Sequence, residues 1–489
     1  MFSLPAISSL TWAFIASLTL FSALQWRRGG PRLPLPPGPP QLPLLGNLLD
    51  IPSDLQWEKY LEWSREFNSD IIHLNAAGTS IIVLSSMEAV RELLDKRSSL
   101  YSDRPDAPML TELMGWDFGI GLMKYGALEH ALFIPPLIFS LLDIRRAMAG
   151  SPKDASRKFQ RGSSKAILPA RINSSVGSFK IRETTMAGGL IVNITYGITE
   201  EGPYITMIKE VVHGFSIASI PGTFLVATFP ALKYVPAWMP GAGFQRRANM
   251  GIAPDSFTSL NLGAPDDSAI GDKEEREFTI KANAAILYGA AADTTVSALA
   301  TFVLAMIENP AAQKKAQAEL DSIVGVGNLP DFTDEAAMPY VSAIVKEVLR
   351  WRNVTPIAIP HYLAIEDEYR GYRIPAHSVD MYPDPHSFKP ERFLLDGKLN
   401  PAIRDPDAAF GFGRRICPGR NMAASSLWIT IPSILSTFNI RKATDDNGNV
   451  VELSHEYAPG LIACPLPFKC SITPRSTQAV EAIQATGAE

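Results

Sequence analysis

The chain has 489 residues, with 45 Lys or Arg and 50 Asp or Glu side chains, which gives a formal net charge of −5 at pH 7. This balance, without a dense basic run, argues against a nucleic-acid partner. Only three cysteines are present, so a disulfide framework is disfavoured, and no glycine fingerprint for dinucleotide binding occurs.

The N-terminus predicts a membrane anchor. Residues 1–26 carry no charged side chain, and residues 10–24 are largely apolar. About 20 such residues at 1.5 Å each span a bilayer core. The first charges, Arg27, Arg28 and Arg32, follow the apolar run, whereas a secretory signal peptide carries its charge before it. By the positive-inside rule we expect one transmembrane helix with the body of the protein in the cytosol. A cleaved signal peptide is the alternative.

A proline-rich linker follows over residues 27–50. Five prolines between Pro34 and Pro40 prevent a helix and favour a stiff, extended chain. A ligand for a proline-binding module is the alternative. No second linker of this kind occurs, so residues 51–489 are predicted to form one large domain.

Periodicity within that domain predicts mostly helices with a short hairpin. The predicted helices cover residues 57–67, 88–96, 274–308, 339–350 and 421–438, and the predicted hairpin covers 70–85 with Gly78 at its turn. Residues 355–378 are strand-like and punctuated by proline. Residues 215–247 are apolar and loop-rich; they are either substrate-access structure that touches the membrane or plain core and surface loop.

Two helices carry polar residues that need an explanation. Asp293 and Thr294 lie in the middle of an otherwise apolar helix. Burying such polar groups costs free energy, which suggests that they have a function. The alternative is that Thr294 bonds back to the carbonyl four residues earlier. Glu347 and Arg350 are three residues apart and so share a helix face. Taken alone, they could form an exposed ion pair worth less than ~1 kcal/mol.

The stretch 410–420, FGFGRRICPGR, contains one cysteine, three glycines and three arginines. Glycines let the backbone pass close to a large planar group, and arginines present cationic forks suited to carboxylates. Nearby positive charge and backbone N–H groups favour a thiolate. This combination suits the axial position of a haem whose propionates need cations. An inert cysteine in a glycine-rich turn is the alternative.

These residues carry a family resemblance. Phe410, Gly413, Arg415, Cys417 and Gly419 fit the pattern F-x-x-G-x-R-x-C-x-G, and the chain resembles cytochrome P-450 monooxygenases, most of all fungal microsomal members. The resemblance implies the cytochrome P-450 fold, mainly α with a small β subdomain, preceded by one N-terminal transmembrane helix. It implies haem b as cofactor, with Cys417 as the axial ligand of the iron and the other four residues in the haem-binding loop.

The resemblance also assigns roles elsewhere in the chain. Residues 289–295 resemble the oxygen-activation motif of the family, except that Ala291 stands where relatives carry glycine. Further assigned roles are proton relay for Asp293 and Thr294, a buried structural triad of Glu347, Arg350 and Arg392, and propionate binding for His361. Cys464 and Cys470 are predicted to be structural.

The implied activity is insertion of one oxygen atom from dioxygen into an apolar organic substrate, in secondary or xenobiotic metabolism. The implied electron donor is an NADPH-dependent flavoprotein reductase, with cytochrome b5 as a further candidate partner. The implied location is the endoplasmic reticulum membrane, single-pass, with the catalytic domain in the cytosol.

Three segments depart from the family, at 127–182, 248–262 and 376–381. Relatives carry W-x-x-x-R on a helix near the start of the first, but no tryptophan occurs between Trp116 and Trp238. Arg145 and Arg146 are the nearest substitutes for its propionate-binding arginine. We therefore expect this chain to bind haem weakly or to fold poorly. The alternative function is a haem-binding or haem-less family member that lacks turnover because these segments are missing. A haem-thiolate enzyme that rearranges peroxides is disfavoured by the acid–threonine pair.

Overall fold

A computed structural model describes residues 33–126, 214–239, 273–374 and 388–487, apart from 53–54, 118, 120, 216, 220–223, 225, 227–229, 237–238, 364, 404, 446 and 459. Several predictions lie outside these residues: the anchor over 1–26, the atypical segments at 127–182, 248–262 and 376–381, and the substitutes Arg145 and Arg146.

Helices dominate the described part, as predicted. Its α-helices are α1 (Gln56–Glu66), α2 (Met87–Val90), α3 (Ser98–Tyr101), α4 (Lys273–Glu308), α5 (Pro310–Ile323), α6 (Pro339–Trp351), α7 (Arg420–Thr437) and α8 (Thr477–Gly487). A π-helix, Arg91–Lys96, continues α2, and a second π-helical turn spans Met109–Leu113. Short 3-10 turns lie at Pro230–Tyr234, Phe332–Ala337, Pro390–Phe393, Asp407–Phe410 and Gly413–Arg415. The five predicted helices are confirmed to within one or two residues at each end.

The described strands form four separate two-stranded antiparallel sheets. The pairs are β1 (Ile71–Ala76) with β2 (Thr79–Leu84), β3 (Asp367–Tyr369) with β4 (Tyr372–Ile374), β5 (Leu394–Leu395) with β6 (Lys398–Leu399), and β7 (Phe438–Lys442) with β8 (Cys470–Pro474). The fold is thus mostly helical with small sheets, although these sheets do not join into one.

The hairpin predicted over residues 70–85 is confirmed as β1 and β2. Its two turn residues, Ala77 and Gly78, have φ values of 49° and 98°, as a mirror-image two-residue turn requires. Within the described part of 355–378, the strand-like prediction is confirmed for β3 and β4, and residues 375–378 lie outside the described residues. The preceding described residues are irregular because Pro356 and Pro360 cannot donate to a strand ladder.

The main core lies between α4, α5, α6 and α7. Its fully buried side chains include Phe302, Met306, Leu320, Ile344 and Ile431. Pro310 occupies the first position of α5, where its missing N–H is tolerated, and so separates α4 from α5. This core fixes the three helices that carry or adjoin the chemically distinctive residues: α4, α6 and α7.

One stretch of α4, Gly289–Glu308, is long and apolar enough to span a membrane, but 71% of it is buried inside the protein. That burial is typical of a core helix. A smaller core packs residues 109–116 against the described part of 214–239, where the rings of Trp116 and Phe215 lie 4.7 Å apart. The described part of 214–239 therefore includes core residues. This agrees with the second interpretation of residues 215–247, as core and surface loop.

Candidate functional site

Cys417 lies in the loop between the turn Gly413–Arg415 and the start of α7. Its backbone N–H donates to the carbonyl of Phe410 at 2.7 Å, which closes the loop, and its side chain is partly buried. Burial raises the pKa of the thiol, against the opposing effects of the Gly419 N–H and the Arg420 charge. The N–H group and the charge thus favour the thiolate, as expected, but in the protein alone burial outweighs them. A metal ion bound to the sulfur reverses this balance, because a coordinating thiol is deprotonated.

Gly413 is required by the protein backbone. Its φ is 58°, and a Cβ at this position would lie 2.0 Å from the carbonyl oxygen of Leu94. Its N–H donates to Oδ1 of Asp95 at 2.7 Å. Contact with the π-helix Arg91–Lys96 is therefore sufficient to require glycine here, and approach to a planar ligand stays a prediction. At Gly419, by contrast, a Cβ would make an ordinary contact of 3.8 Å with Cys417 Sγ.

Arg415 is buried and held by two distant chain segments. Its Nε donates to the carbonyl of Ser102 at 2.7 Å, and its Nη2 donates to the carbonyl of Met123 at 2.8 Å. The ring of Tyr125 lies 5.8 Å from its guanidinium carbon, a cation–π distance. The hydroxyl of Tyr125 accepts a hydrogen bond from Arg414. Two carbonyl contacts and an aromatic ring thus fix the Arg415 guanidinium.

Arg104 is a second buried arginine at this site, and the sequence analysis missed it. Its Nη1 donates to the carbonyls of Ile359 and Pro360, at 3.0 and 2.6 Å. The carboxylate of Asp103 accepts from the backbone N–H of Arg104 and from that of Tyr125, at 2.8 and 2.9 Å. The only sequence signal was an arginine directly before a proline, which by itself indicates no ligand.

His361 is buried beside these two arginines. Its Nδ1 lies 2.8 Å from the carbonyl oxygen of Tyr101 and must carry the proton, because a carbonyl only accepts. The pKa of His361 is lowered to about 3, mainly by burial and also by the charges of Arg104 and Arg415, while the Tyr101 hydrogen bond opposes this shift. His361 is therefore neutral at pH 7 and presents Nε2 as an acceptor. It can donate to a propionate only after taking up a second proton, which a nearby anion would favour.

The structure brings Glu347, Arg350 and Arg392 together. The Glu347 side chain is fully buried and accepts from Arg350 Nε at 2.7 Å and from Arg392 Nε at 3.0 Å. It also accepts from the backbone N–H of Lys389 at 2.6 Å. The alternative of an exposed ion pair is excluded by this burial. Trp428 of α7 donates to Ser342 of α6 at 3.1 Å, so the helix after Cys417 packs on the helix of the triad.

Asp293 and Thr294 lie on α4, both partly buried. The hydroxyl of Thr294 donates to the carbonyl of Ala290 at 2.6 Å, which is the back-bond weighed as an alternative for this residue. The bond occupies the hydroxyl proton and leaves the oxygen able to accept. It therefore orients Thr294 and does not remove it from a hydrogen-bonded relay.

The described residues fit a haem in their donor chemistry. An iron with a thiolate ligand needs one cysteine in a sheltered loop, and two propionates need buried cations. Cys417 meets the first requirement. Arg104 and Arg415 meet the second, because both are buried and both lie close enough to His361 to lower its pKa.

Comparisons with known proteins agree with this chemistry. The sequence profile of cytochrome P450 matches residues 36–131 and 254–455. The chain is 42% identical over 497 residues to cytochrome P450 monooxygenase 98 of Postia placenta, with 94% of this chain and 93% of that protein covered. It is 38% identical to a tryptamine 4-monooxygenase of Psilocybe cyanescens, with 92% and 94% covered. It is 39% identical to a cytochrome P450 monooxygenase of Armillaria gallica, with 98% of each covered.

Proposed function

This chain belongs to the cytochrome P450 family, and on that premise we propose that it inserts one oxygen atom from dioxygen into an apolar organic substrate. It is a cytochrome P450 monooxygenase, and its family uses haem b with a cysteine thiolate as the axial ligand. The family takes electrons from redox partners and binds small-molecule substrates.

We assign the axial thiolate to Cys417. The observation that carries this assignment is the closed loop, in which the Cys417 N–H binds Phe410 and the adjoining Arg415 is buried and fixed. When bound, the haem supplies the redox chemistry that activates dioxygen. Phe410, Gly413 and Gly419 shape the loop around the sulfur.

The remaining residues hold the cofactor and handle protons. Arg104 and Arg415 bind the propionates as buried cations, and His361 joins them when it takes up a second proton. Asp293 and Thr294 pass protons into the site, with the Thr294 oxygen accepting and its position set by the Ala290 carbonyl. The triad of Glu347, Arg350 and Arg392 keeps α6 and the following segment in place.

A carbon-monoxide difference spectrum of the reduced protein tests this assignment. We expect the Soret band of a thiolate-ligated haem in the parent chain and its loss in Cys417→Ala. Cys470→Ala is the matched control, because Cys470 is a free, buried cysteine on β8. An unchanged band in Cys417→Ala would refute the assignment.

The substrate and electron donor are proposed more broadly. An NADPH-dependent flavoprotein reductase supplies electrons, and cytochrome b5 is a further candidate donor. One relative, from Psilocybe cyanescens, is named as a tryptamine 4-monooxygenase. We propose an apolar small molecule of secondary or xenobiotic metabolism as the substrate class.

The proposed location is the endoplasmic reticulum membrane, with residues 1–26 as the anchor, 27–50 as the linker and 51–489 as the cytosolic haem domain. The uncharged 1–26 run and the arginines after it support this division. Deleting residues 1–26 is expected to weaken membrane attachment and preserve the fold. The measurement is the fraction of the chain that pellets with membranes in high salt.

A family member without turnover is the second candidate. It is favoured by the absence of tryptophan between Trp116 and Trp238, where relatives carry W-x-x-x-R. Arg104 weakens this candidate, since it adds a buried cation that the sequence analysis did not count. Haem occupancy of the unmodified chain discriminates between the two candidates. Relatives carry a further strand and a short helix shortly after the position of Ile374. The second candidate is favoured if haem occupancy is weak and rises when a W-x-x-x-R helix near residues 127–135 and that strand are restored.

A further inference from the structure

The loop of Cys417 lies directly against the π-helix Arg91–Lys96. The N–H of Gly413 donates to Oδ1 of Asp95 at 2.7 Å. The two backbones also approach closely, because a Cβ on Gly413 would lie 2.0 Å from the carbonyl oxygen of Leu94. The chain thus enters the cysteine loop in contact with a helix that carries none of the site residues assigned above.

Apolar packing holds the same two elements together. Leu93, Leu94 and Phe412 are buried in one hydrophobic core. Phe412 directly precedes Gly413, and Asp95 directly follows Leu94. The packed residues therefore bring the N–H group and the carboxylate together, so that the hydrogen bond has only the aspartate side chain left to order.

The π-helix itself is held at its end. The backbone N–H of Arg97 donates to the carbonyl of Glu92, five residues earlier, at 3.2 Å. The Arg97 side chain pairs with Glu92 at 3.4 Å and with Asp367 of β3 at 2.8 Å. π-Helices are rare, occur mostly as single turns and are frequent at functional sites. Because a π-turn contains one residue more than an α-turn, these contacts also maintain the direction of the Asp95 side chain.

The segment that follows the π-helix holds the other end of the same turn. The carbonyl of Ser102 accepts from Nε of Arg415 at 2.7 Å. Gly413 and Arg415 are the first and last residues of the 3-10 turn Gly413–Arg415, and Cys417 follows two residues later. Residues 95 and 102 therefore fix both ends of the turn that leads into the cysteine.

We propose that Asp95 is a positioning residue for the axial ligand. Its carboxylate holds Gly413 and thereby keeps the sulfur of Cys417 in the place that the haem iron requires. The proposal rests on the proposed function, in which Cys417 binds the iron. Ser102 and Leu94 contact the loop through backbone atoms, whereas Asp95 does so through its side chain. Because Asp95 is exposed, its contribution can be removed by a substitution that the fold tolerates.

Three variants of the full-length chain separate this role from general stability. Asp95→Ala removes the acceptor, whereas Asp95→Asn keeps an acceptor oxygen and removes only the charge. Asp445→Ala is the matched control. The Asp445 carboxylate accepts from the backbone N–H groups of Asn447 and Asn449, at 2.9 and 2.8 Å, within an exposed turn. Its loss removes bonds of the same kind at a place outside the 410–420 loop.

Two rates are measured for each variant. Hydrogen–deuterium exchange, with mass spectrometry and electron-transfer fragmentation, gives the exchange rate of the Gly413 amide. The reduced carbon-monoxide spectrum, followed over time, gives the rate at which the thiolate Soret band is lost. We expect both rates to rise at least about fivefold in Asp95→Ala, the scale of losing one hydrogen bond to a charged group. Both should stay close to those of the parent chain in Asp95→Asn and Asp445→Ala.

Four results would overturn the proposal. Unchanged exchange in Asp95→Ala would show that the bond does not hold the loop. Faster exchange without faster loss of the band would make Asp95 a local contact with no effect on the sulfur. Equal effects in Asp445→Ala would assign them to general stability, and equal effects in Asp95→Asn would assign them to charge.

A parent chain without the thiolate band would contradict the proposed function instead. The exchange rate of the Gly413 amide does not depend on haem, so it would then decide by itself whether Asp95 holds the loop.

Discussion

Glu347 and Arg392 are joined by a charge-assisted hydrogen bond of 3.0 Å that ties α6 to the turn Pro390–Phe393. The Glu347 side chain is fully buried and also accepts from Arg350 and from the backbone N–H of Lys389. One carboxylate therefore organises a helix, a turn and the segment entering that turn. A buried carboxylate is tolerated here because several charged or N–H donors surround it.

Replacing this carboxylate should destabilise the domain. Glu347→Gln removes the charge and leaves Arg350 and Arg392 without their shared counter-ion. We expect a loss of about 3 kcal/mol in the free energy of unfolding, the scale for breaking a buried ion pair. Urea unfolding followed by circular dichroism measures it. The control is Glu452→Gln, whose exposed pair with Lys442 should contribute less than about 1 kcal/mol. Equal effects in the two variants would contradict the structural role.

The two buried arginines should control haem retention. Arg104→Gln and Arg415→Gln each remove one cation that we assign to a propionate. Truncating one partner of a buried charge pair costs about 2 kcal/mol or more of binding free energy. Haem should therefore dissociate from each variant at least about 30-fold faster than from the parent chain. Transfer of haem to excess apomyoglobin measures the rate.

Arg475→Gln is the matched control for that experiment. Arg475 is also partly buried, but it pairs with Asp321 through hydrogen bonds of 2.6 and 2.9 Å at the end of α5. Its loss should lower the free energy of unfolding and leave the haem dissociation rate near that of the parent. A similar rate in all three variants would mean that the arginines act on global stability alone.

His361 should make the haem-free chain less stable in mild acid. Its pKa is lowered from 6.5 to about 3 by burial and the neighbouring arginines, so the unfolded chain binds a proton that the folded chain does not. The free energy of unfolding therefore rises with pH between these values and levels off above the unfolded pKa.

His361→Asn isolates this contribution, because an asparagine amide can still donate to the Tyr101 carbonyl. We expect a shallower slope of unfolding free energy between about pH 4 and pH 7 in the variant. Burial and Arg373 also lower the pKa of His73, which contributes in the same direction in both proteins. Identical slopes would show that His361 titrates normally. The haem-free chain is used because an anion bound beside His361 would raise its pKa.

Thr294 should govern coupling between electron use and product. In Thr294→Ala, NADPH consumption should continue while product per NADPH falls at least about tenfold and peroxide rises, because the hydroxyl oxygen that accepts a hydrogen bond in the relay is lost. Thr294→Ser keeps the hydroxyl and should restore coupling. Thr301→Ala is the control, because Thr301 lies on the same helix but outside the motif at residues 289–295. The assay uses the enzyme reconstituted with reductase and any apolar substrate whose binding shifts the Soret band of the enzyme. Unchanged product per NADPH in Thr294→Ala would show that the residue is not part of the relay.

The sequence by itself determined the elements whose signals are local. The alternation of β1 and β2 with Gly78 between them, the period of α6 and the prolines at the starts of α5 and α6 depend on neighbours a few residues away. The spacing of glycine, arginine and cysteine in the 410–420 loop is likewise a local signal. For the triad, the sequence placed Glu347 and Arg350 on one face, and only the family pattern added Arg392.

Only the tertiary structure decided which groups meet across the chain and how burial changes them. Arg415 binds the Ser102 carbonyl from 313 residues away, and His361 binds the Tyr101 carbonyl from 260 residues away. No local pattern marked Arg104 as their neighbour. The neutral state of His361 and the raised pKa of Cys417 follow from desolvation, which depends on everything packed around a side chain. The sequence shows which side chains can ionise, but the packing around them determines their pKa values and therefore which of them are charged.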